Sequence, residues 1–142
     1  MRLVLAAILC FGLFHEVLAE SMLLPVTARV TNVVDGDTLD VRAKVWLGHE
    51  VSVLVRVLGI DTPELRGKCA AEIEKARAAQ AFVLGLVPLE SLVVLNKVQS
   101  DKYAGRVDAE VELPDGRVLA ELVIAAGHAR PYSGGQRQGW CP

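Results

Sequence analysis

The chain is poor in aromatic residues, with two Trp, two Tyr and three Phe among 142 residues. So few rings argue against a groove that holds nucleic-acid bases by stacking. Positive charge is not in excess either. Fifteen Lys and Arg stand against seventeen Asp and Glu, a net of −2, whereas a protein that coats duplex DNA is ordinarily basic. Contact with nucleic acid must then be made through a local site. The three His and three Cys are scattered without metal-ligand spacing, which argues against a zinc centre. His49 stands alone in a Gly48-His49 reversal and reads as a surface turn residue. The sequence has no internal repeat, low-complexity tract or linker, and only one long apolar run.

That run is N-terminal. Arg2 precedes an uncharged stretch from Leu3 to Phe14, and Val17-Leu18-Ala19 offers small residues at a cleavage site. This pattern predicts a secretory signal over residues 1–19, leaving 20–142 as one domain in the periplasm or secreted. The run is short for a bilayer span, and His15 and Glu16 end it. A retained anchor and a buried N-terminal helix are the other readings. Arg2 and Glu16 leave together, so the net charge does not change. Cys10 leaves too, and Cys69 with Cys141 then forms an even pair in an oxidising compartment. A bridge between them would pin the C-terminal tail beside Glu64 and add roughly 4 kcal/mol on the chain-entropy model. Two free thiols are the alternative.

Alternation of apolar and polar residues predicts strands over Val26–Val34, from Leu39 and Val41 onward, and through Val51, Val53, Val55 and Val57. Cys69 to Leu86 reads as a helix, with Ile73, Ala76, Ala79, Val83 and Leu86 on one face and Glu72, Glu74, Lys75 and Arg77 on a solvated face. A short strand over Leu92–Leu95 and a second over Val107–Leu113 follow. A helical stripe then runs from Val118 to Ala126, with Gly127 at the C′ position. The tail from Tyr132 reads as irregular, with Trp140 as a packing anchor. Three strands, a helix, two strands and a helix predict an α+β fold: a small, five-stranded, partly open β-barrel of the OB type with two to three helices. A ferredoxin-like sandwich competes, but that fold inserts a helix after its first strand.

Polar residues gather where the third strand ends. Arg56, Asp61, Thr62 and Glu64 fall within nine residues, and Pro63 stops further ladder pairing. A cation, two anions and a hydroxyl suit a site for a metal and a phosphate, although Asp-Thr-Pro-Glu also makes a good turn and helix start. The Asp35-Gly36-Asp37-Thr38 turn projects a further carboxylate from a strand start.

Three separated pieces, Val34 to Thr38, Arg56 to Glu64 and Asp101 to Arg106, together resemble the staphylococcal nuclease (thermonuclease) family, in order and over nearly all of residues 20–142. The stretch Leu119-Ala120-Glu121-Leu122-Val123 also resembles that family's helix. The resemblance implies the OB barrel. It further implies that Asp37 and Asp61 ligate calcium with the Thr62 carbonyl, that Arg56 and Arg106 bind phosphate, and that Glu64 is the catalytic glutamate. Lys102 and Tyr103 fall where the family contacts the phosphate and sugar of a nucleotide, and Tyr132 is a further contact. One departure is Ala104, an extra residue before Gly105-Arg106, which a wider turn with Gly105 at positive φ can absorb. The loop after Glu64 is also short.

The chemistry agrees with those residue types. Carboxylates are hard ligands suited to calcium. With only two of them, metal binding should be weak until substrate phosphate completes the shell. Glu64 can serve as a general base towards water, and arginines match phosphate with forked hydrogen bonds. The expectation is an exported, monomeric, calcium-dependent hydrolase of DNA, and also of RNA, with low sequence specificity. A non-cutting OB module that binds nucleic acid or protein is one alternative. A structural envelope protein is another.

Overall fold

The computed structural model describes residues 20–142, so the expected signal lies outside the described residues. Five strands form a closed barrel: β1 (Val26–Val33), β2 (Thr38–Trp46), β3 (His49–Val57), β5 (Leu92–Ser100) and β6 (Arg106–Glu112). Their order is β1-β2-β3-β6-β5, with β5 closing on β1. Every pairing is antiparallel except β3 with β6, which is parallel. Two helices, α1 (Ala70–Leu86) and α2 (Leu119–Ala125), complete the small OB-type α+β barrel expected from the alternation.

The alternating Val and Leu residues drive closure. Val30, Leu39, Val41, Val55, Val57, Val93, Leu95 and Val111 are all buried in one core. Each such side chain contributes roughly 1.5–3 kcal/mol on leaving water, and their polar neighbours turn outward. Helix α1 lays Ala76, Ala79 and Val83 on the barrel.

Glu72 departs from the solvated face read for it. It is 7% exposed and accepts hydrogen bonds from the backbone N–H groups of Lys68 (2.9 Å) and Glu64 (3.4 Å). Its carboxylate therefore organises the short loop between Glu64 and α1.

Two features position the site. The first is a close approach at Gly36, where a Cβ would stand 2.8 Å from the Ala79 Cβ and 2.9 Å from Thr62 Cγ2. Only glycine lets the Asp35-Gly36-Asp37 turn sit this near α1. The Gln80 amide fixes the contact by donating to the carbonyls of Val33 and Val34. The second is a pair of two-residue strands, β4 (Ile60–Asp61) and β7 (Arg130–Pro131), joined antiparallel. This pairing carries the chain beyond α2 back to the end of β3.

Strand β5 runs on to Ser100, beyond the expected Leu95. A bulge between Asn96 and Gln99, with Lys97 at φ 53°, breaks the alternation without ending the ladder.

Candidate active site

The ends of β3 and β6 set two arginines side by side. In the parallel register Arg56 pairs with Asp108 and Leu54 with Arg106. Arg106 lies two residues before Asp108, so Arg56 and Arg106 are diagonal neighbours on one face. Both line a cleft of about 730 Å³ together with Asp37, Glu64, Lys102, Tyr103 and Tyr132. The cleft therefore gathers seven of the sequence-predicted site residues. Asp61 and Thr62 are not among its lining residues; Asp61 faces a neighbouring cleft of about 450 Å³ formed by the tail.

Asp37 is 4% exposed and fully engaged. Its Oδ1 accepts the Thr38 hydroxyl at 3.1 Å. Its Oδ2 accepts the Thr62 N–H at 3.1 Å and the Thr62 hydroxyl at 2.9 Å, and lies 3.1 Å from Arg56 Nη1. Arg56 also donates to the carbonyls of Val57 (3.2 Å) and Ile60 (3.0 Å). The turn after β1 and the strand end after β3 are thus fastened through one carboxylate.

The extra Ala104 does not displace Arg106 from the cleft. Tyr103 to Arg106 closes a turn, with Arg106 N–H donating to the Tyr103 carbonyl at 3.3 Å and Gly105 at φ 77°. The guanidinium hydrogen-bonds Asp101 and lies 4.7 Å from the Tyr103 ring centre. Lys102 Nζ sits 5.1 Å from the same ring. Burial tends to raise the Asp101 pKa, but hydrogen bonds from Arg106 and from the Tyr103 N–H hold the carboxyl below its ordinary range. Burial and the Asp101 charge push Asp108 up. Asp35 is pushed up to about 6 by burial and then by the Asp37 carboxylate.

The residue most plainly missed by sequence reasoning is Arg137. It hydrogen-bonds the Asp61 carboxylate, donates to Glu64 Oε1 at 2.6 Å and donates to the Thr62 carbonyl at 3.3 Å. Burial works against its charge, but the bonds to Glu64 and Asp61 outweigh burial and raise its pKa. Trp140 does more than pack: its Nε1–H donates to Asp61 Oδ2 at 3.1 Å, and its ring stacks 3.7 Å from the Arg130 guanidinium carbon. Tyr132 lines the cleft and donates its hydroxyl to the Gly135 carbonyl.

The donors expected for calcium are hard oxygens, as that ion needs. In this conformation, however, each of them also carries a protein partner. Both oxygens of Asp37 accept protein hydrogen bonds, and both oxygens of Asp61 face Arg137 and Trp140. Among the described residues, the one cluster of three candidate metal ligands is Cys69, Glu72 and Cys141. Its two cysteines are joined in a disulfide and have no thiolates to offer. No protein-family model and no curated protein matches the sequence.

Proposed function

We propose that the protein is an exported phosphodiester hydrolase acting on DNA, and also on RNA, with low sequence specificity. The observation that carries this reading is the diagonal placement of Arg56 and Arg106 in one cleft with the Glu64 carboxylate. Arg106, bonded to Asp101 through Nε, can turn its terminal nitrogens to the non-bridging oxygens of a phosphodiester. Arg56, whose terminal nitrogens already donate to Val57, Ile60 and Asp37, adds its positive charge against the charge that grows as water attacks phosphorus. Glu64, with a side chain 46% exposed, is open to solvent and can take the proton of that water. Arginine does not donate a proton at neutral pH, so both guanidiniums act by charge. Lys102 and Tyr103, on the exposed rim, suit the neighbouring phosphate and sugar. Groups that hold phosphate and sugar do not read a base edge, which supports low specificity. The Cys69–Cys141 bridge supports an oxidising compartment. The donors expected for calcium are engaged by protein groups.

A second reading, an OB barrel that binds strands without cutting them, is favoured by one observation: Arg137 neutralises Glu64. The test is incubation of the purified protein with plasmid and single-stranded DNA, with calcium and with a chelator, before and after treatment with a dithiol. Cleavage in any arm that disappears in Glu64→Gln supports the hydrolase. Strand binding without cleavage in every arm supports the binding module and overturns the hydrolase.

A further inference from the structure

Arg137 reaches the barrel mouth on a segment that belongs to no strand or helix. It is held at both sides. Upstream, β7 pairs with β4; downstream, Cys141 is bridged to Cys69, the residue just before α1. Within this strap the guanidinium converges on one carboxylate, one backbone carbonyl and a second carboxylate, from Asp61, Thr62 and Glu64. That oxygen set is the kind a hard divalent ion takes. Asp61 is only 3% exposed and has the Trp140 N–H on its other oxygen, so an incoming ion must displace the strap to reach it.

We propose that Arg137 is a tethered cation that competes with a divalent ion for Asp61, Thr62 and Glu64, and that the Cys69–Cys141 bridge sets the strength of this competition. The proposal deepens the hydrolase reading and rests on it for the role of the ion. A group tethered at both ends acts at a high effective concentration, and an outside ion must exceed it. With the bridge opened, the strap loses its covalent end and is held beyond β7 only by non-covalent contacts, those of Trp140 with Asp61 and Arg130 among them, so that concentration falls. Cys141 is the more exposed partner of the bridge. A thiolate of a dithiol reductant attacks the Cys141 sulfur and expels the Cys69 thiolate. The reductant's second thiol then displaces Cys141 and closes the reductant's own disulfide. Two electrons pass to the protein sulfurs, which end as two thiols after taking up two protons, while the reductant is oxidised. The chain would thus be closed to the ion when oxidised and open to it when reduced.

The test is calorimetric titration with calcium chloride, in the absence of nucleic acid, of four forms of the protein: oxidised wild type, dithiol-treated wild type, Arg137→Ala, and Arg137→Ala combined with Asp61→Asn. Circular dichroism checks the fold of each, and Cys141→Ser serves as a second route to the open tail. The expected result is at least tenfold tighter binding in Arg137→Ala than in the oxidised wild type, a smaller gain on reduction and in Cys141→Ser, and loss of the gain in the double variant. Equal affinity in all forms would overturn the proposal, as would a gain that survives Asp61→Asn. A gain in Arg137→Ala with none on opening the bridge would overturn the role of the disulfide. Because no nucleic acid is present, failure to cut DNA overturns the hydrolase and leaves these titrations standing, and the converse also holds.

Discussion

Asp37 and Thr62, 25 residues apart in the chain, are joined by two hydrogen bonds to a single carboxylate oxygen, from the Thr62 N–H at 3.1 Å and its hydroxyl at 2.9 Å. Through this contact the turn that opens β2 and the segment that leaves β3 become one unit, and Arg56 is drawn onto the same oxygen at 3.1 Å. Thr62→Val keeps the side-chain shape and the backbone bond but removes the hydroxyl. It should cost about 1.5–3 kcal/mol, the range for a hydrogen bond to a charged group. Urea unfolding measures this directly; an unchanged midpoint would mean that the contact adds nothing to stability.

Arg56 and Arg106 share a face but not a role in the fold. Arg56 holds two backbone carbonyls and Asp37, whereas Arg106 holds Asp101 within a surface turn. Arg56→Ala should therefore lower stability by about 2–3 kcal/mol, since it leaves a buried carboxylate short of its partner. Arg106→Ala strips the partner from Asp101, whose side chain is 5% exposed, and should cost about 1–3 kcal/mol. Their effects on strand binding should instead be alike, each weakening it severalfold, Arg106→Ala through loss of a phosphate fork and Arg56→Ala through loss of its charge. Parallel unfolding and fluorescence-anisotropy measurements separate the two quantities.

Gly36→Ala should destabilise the protein by about 1–3 kcal/mol, in the manner of an overpacked core, because the added Cβ meets Ala79 and Thr62 at under 3 Å. Gly105→Ala meets no neighbour but must hold φ 77°, a strain of about 1 kcal/mol. Thermal unfolding of both variants should rank Gly36→Ala as the more harmful; the reverse order would place the tighter constraint at the Tyr103 turn.

Asp35 gives the pH dependence its sign. Its pKa in the folded protein, pushed up to about 6 from an ordinary 3.8, lies above that of the unfolded chain. The folded state therefore holds this proton more tightly. The resulting stability is complete below about pH 4 and is lost as pH rises through 6. Asp35→Asn keeps the oxygen that accepts the Asp37 N–H at 3.0 Å and removes the charge. Its stability relative to wild type, measured in chelator, should rise between pH 4 and pH 7 by about 2 kcal/mol after allowing for partial exposure. A difference that stays flat across this interval would contradict the shift.

The barrel was legible because Val30, Val41, Val55 and Val57 declare a buried face at period two, and α1 was legible from Ala76, Ala79 and Val83. The arginine pair and Glu64 were legible as short polar clusters at strand ends. The pairing of β4 with β7 was not, because two residues cannot display a period. The continuation of β5 was hidden by Lys97, whose positive φ resets the alternation. Glu72 was misassigned because its inward turn is set by backbone N–H groups of a loop that leaves no mark in the helical pattern. Arg137 lay in an irregular tail. The one signal that could have found it was Cys141: a bridge to Cys69 brings the residues just before Cys141 to the mouth of the barrel, and Arg137 is the nearest cation in that stretch.

The most direct measurement is single-turnover cleavage of an end-labelled DNA strand by wild type and Glu64→Gln, with calcium and with the Cys69–Cys141 bridge opened, alongside strand affinity by anisotropy. Loss of a general base should lower the rate about 10²–10⁴-fold while strand affinity stays within twofold. Equal cleavage rates for the two proteins would show that Glu64 takes no proton from the attacking water and would contradict the assignment of this cleft as the hydrolytic site.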